Sequence, residues 1–281
     1  MDGIHIALGF EDTYSMILDN LLDLELALLR ISATEMVRYS FDDADFFDQK
    51  RGLNRHLTNL LSTTRQYLDM TNRHVSPVLP DGAALFRTLT GDAFDASLAY
   101  RAMDTLRNYV QHRDLGVHTM TISGSWIGDL GSASRSLRYT TSVYLDLDHL
   151  ENDGGFAEKG RRIFQELRNE PSKPDVTRLV RTFIGGLAGI HAALRSALEG
   201  NLVVWRAEVR DAIQEFGTQF PGESTLGLAV ATVRPGMFRD AHYDVFEGPV
   251  ERLSRLQRIN SCPTNLGRTY VSSEFIAEPW H

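Results

Sequence analysis

The chain has one cysteine, Cys262, among its 281 residues. A single thiol rules out a disulfide framework within the chain and fits a reducing compartment. Lysine is nearly missing too. Lys50, Lys159 and Lys173 stand alone and every other base is arginine, the residue better suited to forked phosphate contacts. No uncharged apolar stretch approaches the ~20 residues that a bilayer-spanning helix needs. The N-terminal Met1-Asp2-Gly3-Ile4-His5 lacks the basic-then-apolar layout of a signal peptide. These absences lead to the expectation of a soluble, cytoplasmic protein with no membrane partner. Repeats, low-complexity tracts and clear linkers are also missing, and no phosphate loop or zinc motif declares a function.

What is present is ordinary globular material. The sequence is 42% hydrophobic and 23% charged, enough apolar residue to bury a real core. The length permits one large domain or two small ones. A net charge of −8 looks hostile to nucleic acid, but the distribution changes that reading. Residues 1–50 hold eleven of the 37 acids and only three of the 29 bases, so the rest carries 26 of each. The remainder is neutral overall and has room for a local basic cleft.

Helical periodicity dominates. Ile17, Leu21, Leu24, Leu28 and Ile31 predict a first helix over 12–38. The acidic-aromatic stretch 40–47 reads as a solvated connection. A second helix spans about 48–73, with Leu53, Leu57, Leu60, Leu61, Thr64 and Leu68 as its buried stripe, and Pro77 and Pro80 end the region. A short helix follows at 82–89. The next begins at Asp92 as N-cap and runs to about Arg113. The pattern then alternates, from Val117 to Trp126 and from Ser134 to Leu147, around a turn-like Gly128–Ser132. This predicts a β-hairpin over 117–148. A helix from Gly154-Gly155 to Asn169 and a long one over 175–216 follow, with Gly200 as a candidate break. Leu226–Val233 reads as a strand and 249–259 as a helix. The expected fold is mainly α: an antiparallel helical bundle with an inserted β-hairpin and a small α+β C-terminal tail. The division would be a bundle over 1–216 and an extension over 217–281 packed on it.

One helix end carries suggestive chemistry: Arg107-Asn108-Tyr109-Val110-Gln111-His112. With Val110 at the centre of the buried face and ~100° per residue, Asp104, Asn108 and His112 form a row on the polar face. Arg107 lies at its edge, ~140° from His112, so a site using both needs a second surface. A histidine can take a proton from a ribose 2′-hydroxyl or return one to a leaving oxygen. An arginine can steady the negative charge of a pentacoordinate phosphate. Neither needs a metal or a cofactor.

This segment resembles the HEPN superfamily, helical-bundle proteins that include metal-independent endoribonucleases of toxin and defence systems. Their signature is an arginine, often followed by Asn, Asp or His, then a histidine after four to six intervening residues on a helix. Arg107-Asn108-Tyr109-Val110-Gln111-His112 meets it with the preferred asparagine, and Leu53-Asn54-Arg55-His56 through Tyr67-Leu68-Asp69 resembles the partner helix of such bundles. The resemblance spans roughly 12–113 and extends to 175–216. It implies RNA as substrate, a homodimer that joins two copies of the site, and a cognate antitoxin or regulatory protein. In that reading Arg107, Asn108 and His112 are catalytic, and Arg101 and Arg55 contact RNA. The same spacing recurs at Arg51…His56 and Arg113…His118. The first has glycine after the arginine, and Leu115-Gly116-Val117 breaks the helix beneath the second. A subclass of the family carries a tyrosine two residues after the histidine as a target of nucleotide modification. Here that position is Asp114, so that scheme does not apply.

Two other readings stand beside this one. The same helix serves equally as the dimer face of a non-catalytic protein that binds RNA, a nucleotide or a protein partner. Asp146-Leu147-Asp148-His149 puts two carboxylates on one face of a strand beside a histidine and could begin the metal site of a hydrolase. Gly185, Gly186 and Gly189 read as close helix packing, and Trp126, Trp205 and Trp280 as core or interface.

Overall fold

The computed structural model describes residues 2–38, 42–128, 135–153, 158–232 and 241–271. Among them are eight α-helices: α1 (Asp2–Arg38), α2 (Asp43–His74), α3 (Gly82–Ala96), α4 (Leu98–His112), α5 (Leu147–Asn152), α6 (Glu158–Arg168), α7 (Val176–Gln219) and α8 (Gly248–Ile259). Strands β1 (Thr119–Ile127) and β2 (Ser136–Tyr144) pair antiparallel from Thr119 opposite Tyr144 to Ile127 opposite Ser136. A smaller antiparallel pair joins β3 (Ala229–Thr232) to β4 (Ala241–Asp244). The fold is mainly α with an inserted β-hairpin. No described helix is long and apolar enough to cross a membrane.

α1 and α2 form an antiparallel hairpin. Asn20 of α1 donates to Thr63 of α2 at 3.1 Å, while Tyr14, earlier in α1, meets Tyr67, later in α2, with ring centroids 5.9 Å apart. α1 starts at Asp2 rather than near residue 12, because Ile4, Ala7, Leu8, Phe10 and Tyr14 extend its buried stripe backward. Gly3 lets the Trp205 ring lie against the helix; an added Cβ there would overlap the ring. α7 packs against α1, α3 and α4. At 44 residues it is ~66 Å long. It runs straight through Gly200, since Leu198 and Leu202 stay buried on either side and no cap interrupts it. One contiguous apolar core takes in Leu24, Leu57, Leu106, Phe164, Ile184 and Leu253, from six different helices.

Several boundaries differ from the periodicity. The helix expected from Asp92 is two helices, with Asp92 inside α3. Ser97 adopts an extended conformation and its hydroxyl accepts from the Tyr100 N–H at 3.1 Å, which starts α4 afresh. α2 begins at Asp43 because Asp42 caps it, accepting from Asp45 at 2.8 Å, so most of the acidic stretch is a first helical turn. Residues 146–149 are not strand. Asp146 caps α5 and His149 lies in its first turn. Trp126 is 60% exposed rather than packed, with the Arg135 guanidinium 5.1 Å over its ring. Residues 129–134 of the hairpin turn, Gly154-Gly155 and Trp280 fall outside the described residues.

Candidate functional site

α4 is amphipathic, and its packing sets its rotation. Tyr100, Met103, Leu106 and Tyr109 are buried, spaced three apart. Val110 is only half-buried, so the centre of the buried face lies nearer Met103 and Leu106. That rotation carries Arg107 inward. The residue is 6% exposed. Its Nη2 donates to Asn108 Oδ1 at 2.9 Å and lies 3.3 Å from Asp104 Oδ1. Its Nε and Nη1 are enclosed without a hydrogen-bond partner among the described residues. Asn108 and His112 are exposed. The expected row of Asp104, Asn108 and His112 is therefore present, while Arg107 is clamped beneath it instead of at its edge.

The turn after α4 is firmly held. Asn54 of α2 accepts the Val117 N–H at 2.8 Å and donates to the Val117 carbonyl at 3.1 Å. Gly116 allows the close approach, because an added Cβ would lie 2.9 Å from a Leu57 methyl. Beside this turn sits a second group of titratable side chains. Tyr109 Oη lies 2.9 Å from His149 Nε2, and Asp114 Oδ2 lies 3.5 Å from the same nitrogen. The rings of His118 and His149 are 5.0 Å apart between centroids. His118 Nδ1 accepts the Asp146 backbone N–H at 3.3 Å, which puts the proton of the neutral ring on the enclosed Nε2. Burial, and then the neighbouring His149, hold the His118 pKa below its usual value. Burial, followed by Asp114 and Asp153, pushes the Tyr109 phenol up to about 12.

The other expected site residues scatter. Arg101 is half-buried. Its guanidinium reaches Glu166 of α6 at 2.7 Å and the Asp95 carbonyl at 3.1 Å, joining α4 to α6 and to the end of α3. Arg55 is exposed on α2, with Nη2 3.4 Å from His56 Nε2. The metal set does not converge. Asp146 accepts from the His149 N–H at 3.0 Å as a helix cap, Asp148 pairs with Arg168 at 2.7 Å, and His149 faces Tyr109. Among the described residues no three His, Cys, Asp or Glu side chains come together so as to hold a metal ion.

Sequence reasoning missed the most tightly built polar cluster. Glu11 is 1% exposed and His191 is fully buried. Arg195 makes a fork with Glu11, at 2.8 Å from Nε and 2.7 Å from Nη2. His191 Nε2 lies 3.3 Å from the same carboxylate, and Asn260 donates to it at 3.0 Å. Tyr67 Oη lies 3.1 Å from His191 Nδ1. The imidazole is stacked between Phe10 and Tyr14, at 4.1 and 3.8 Å between centroids. Burial alone would raise the Glu11 pKa. The hydrogen bonds from His191 and Arg195 outweigh it and bring the carboxyl down to about 2. Burial depresses the His191 pKa, so a neutral imidazole beside a Glu11–Arg195 pair leaves the cluster without net charge. With His191 sealed from solvent, it ties α1, α2, α7 and the segment after α8 together. The visible signals in sequence are an acid inside an apolar stripe, at Glu11, and His191 one turn before Arg195.

No family model matches this chain, and no curated protein or solved structure is found to be similar to it.

Proposed function

We propose that the chain is a HEPN-like protein that cuts RNA without metal, at a site completed by a second copy of α4. The observation that carries this reading is the arrangement of Arg107, Asn108 and His112. Arg107 Nη2 donates to Asn108 Oδ1, which leaves the Asn108 amide N–H groups as donors toward solvent. Those donors suit a phosphate oxygen. His112, one turn on, is an exposed imidazole suited to proton transfer. Arg107 then acts as a positioning residue that reaches the phosphate through Asn108. Arg113, which follows His112 directly and is exposed, supplies cationic charge at the same helix end.

In the reaction the ribose 2′-oxygen attacks phosphorus and the 5′-oxygen leaves. One His112 takes the 2′-proton and the second copy returns a proton to the leaving oxygen. The products are a 2′,3′-cyclic phosphate and a 5′-hydroxyl, and the step balances without an oxidant, metal or water.

The burial of Arg107 favours a second reading, a non-catalytic protein that binds RNA, a nucleotide or a protein partner through the same helix. With Nε and Nη1 enclosed, the guanidinium does not itself face a ligand. Incubating the purified protein with mixed RNAs in excess EDTA separates the two. Cyclic-phosphate ends that vanish in His112→Ala and Asn108→Ala support cleavage. Equal cleavage by wild type and His112→Ala overturns it. Retention of RNA without cleavage that His112→Ala and Asn108→Ala weaken supports the second reading.

A further inference from the structure

Strand β2 lies across the C-terminal half of α1 and reaches the start of α7. Ser32 and Thr141 hydroxyls meet at 2.8 Å, and the Leu145 N–H donates to the Pro174 carbonyl at 3.1 Å. Between these elements and the segment 267–271 opens a groove of about 1150 Å³. That exceeds the ~300–1,000 Å³ of sites for single small molecules, so it has room for an extended ligand.

Its charge runs against that of the chain. Arg138, Lys173, Arg178, Arg181 and Arg268 line it against two carboxylates, Glu25 and Asp175, in a protein of net charge −8. Both acids are occupied. Glu25 holds Arg181 in a fork with two contacts of 2.6 Å. Asp175 caps α7, accepting the Arg178 N–H at 2.9 Å. The Arg178 guanidinium donates to Ser172 Oγ at 3.1 Å. Arg268 is exposed, and its guanidinium makes no hydrogen bond or ion pair among the described residues. Three tyrosines, Tyr139, Tyr144 and Tyr270, share the lining. Tyr270 is 81% exposed, and Lys173 Nζ lies 5.6 Å over the Tyr144 ring. Arginines for phosphates interleaved with flat rings for bases make up the chemistry of a single-strand track. Leu28, Leu29, Met36, Leu137 and Val271 also line the groove, beside the hydroxyls and the Glu25–Arg181 ion pair. The excess of cationic over acidic side chains is what favours a phosphate chain over a protein partner.

We propose that this groove binds a short single-stranded oligonucleotide, its phosphates on Arg178 and Arg268 and its bases on the tyrosines. The inference stands apart from the reading of α4, since no residue of α4 lines the groove.

The test is fluorescence anisotropy with the whole chain and a labelled oligouridylate of ~8 nucleotides, with UTP and inorganic triphosphate as competitors. Arg178→Glu and Arg268→Glu are both exposed, and circular dichroism checks their folding. Each is expected to weaken binding at least ~10-fold and to flatten the plot of log affinity against log salt by ~0.7 for each phosphate that is no longer neutralised. Tyr270→Ala is expected to lose ~5-fold or more. Absence of saturable binding overturns the proposal, as does equal binding by the charge-reversed variants. Displacement by triphosphate as effective as by unlabelled oligonucleotide reduces the groove to an anion site and overturns the single-strand assignment. Lost cleavage with intact oligonucleotide binding touches only the α4 reading, and the opposite pattern touches only this one.

Discussion

Asn54 holds the Val117 backbone by both its polar groups, 2.8 Å from the N–H and 3.1 Å from the carbonyl, with both residues almost fully buried. A side-chain amide here takes the place of a neighbouring strand and pins the turn between α4 and β1 onto α2. Asn54→Ala strands a buried donor and a buried acceptor, each costing ~1–3 kcal/mol. The expected loss is therefore ~2–6 kcal/mol in urea unfolding. An unchanged midpoint would show that the turn is held by other contacts.

Two glycines in α7 predict opposite outcomes. An added Cβ at Gly186 meets the Tyr100 ring at 2.9 Å, whereas at Gly200 nothing lies within 4 Å. Gly200→Ala should stabilise by ~0.5–1 kcal/mol, because alanine loses less chain entropy in a helix. Gly186→Ala should destabilise by ~1–3 kcal/mol, since Tyr100 is buried and must shift to make room. Thermal melts of the two variants provide the check. A gain in melting temperature for Gly186→Ala would mean that α4 and α7 pack less closely than described.

The long elements were legible because apolar repeats are local. The stripe Leu53, Leu57, Leu60 marks α2 at any tertiary position, and the alternation after Val117 marks the hairpin. The break at Ser97 was not, because Phe94, Leu98 and Ala102 keep helical spacing across it and only one hydroxyl signals a new start. Arg107 was misplaced for a different reason. Periodicity gives the period of a helix, but the neighbours α2, α6 and α7 fix its rotation, and that turned the face from Val110 toward Met103. The cluster around His191 draws on residues 11, 67, 191, 195 and 260. Only two of these are close in sequence, so no motif search finds the rest. The groove is equally non-local. Counting charge along residues 1–50 describes an acidic segment, yet Glu25 within it is neutralised by Arg181.

The His191 cluster predicts acid sensitivity. His191 faces Glu11 and Tyr14 from α1, Tyr67 from α2 and Arg195 from its own helix. Its folded pKa lies below the ordinary 6.5, so the unfolded chain binds a proton first as pH falls, and stability drops from about that pH downward. The carboxyl of Glu11 titrates at about 2 in the folded chain against 4.5 ordinarily. Its contribution is complete above 4.5 and is lost as pH falls through 2. Both limbs have the same sign. Urea midpoints measured from pH 7.5 to 3 should decline throughout, and His191→Phe, which keeps the stack, should flatten the upper limb. A midpoint that holds steady between pH 7 and 5 would refute a neutral buried His191.

Arg107 separates structure from function most sharply. A buried guanidinium with Nε and Nη1 unpartnered among the described residues gains little for the fold, and replacing a buried ion pair by apolar chains of similar volume is often neutral or stabilising by ~1–4 kcal/mol. Asp104, its ion-pair partner, keeps 31% of its side chain exposed and can be solvated in its absence. Arg107→Met should therefore melt at or above the wild-type temperature. If Arg107 orients the Asn108 amide, the same variant loses RNA cleavage in EDTA by ~100-fold or more, and Asn108→Ala loses a similar factor. The double variant should be no worse than either single, because the two act through one contact. Stable Arg107→Met with undiminished cleavage would remove Arg107 from the mechanism. Additive losses in the double variant would instead mean that Arg107 acts on RNA by a route independent of Asn108.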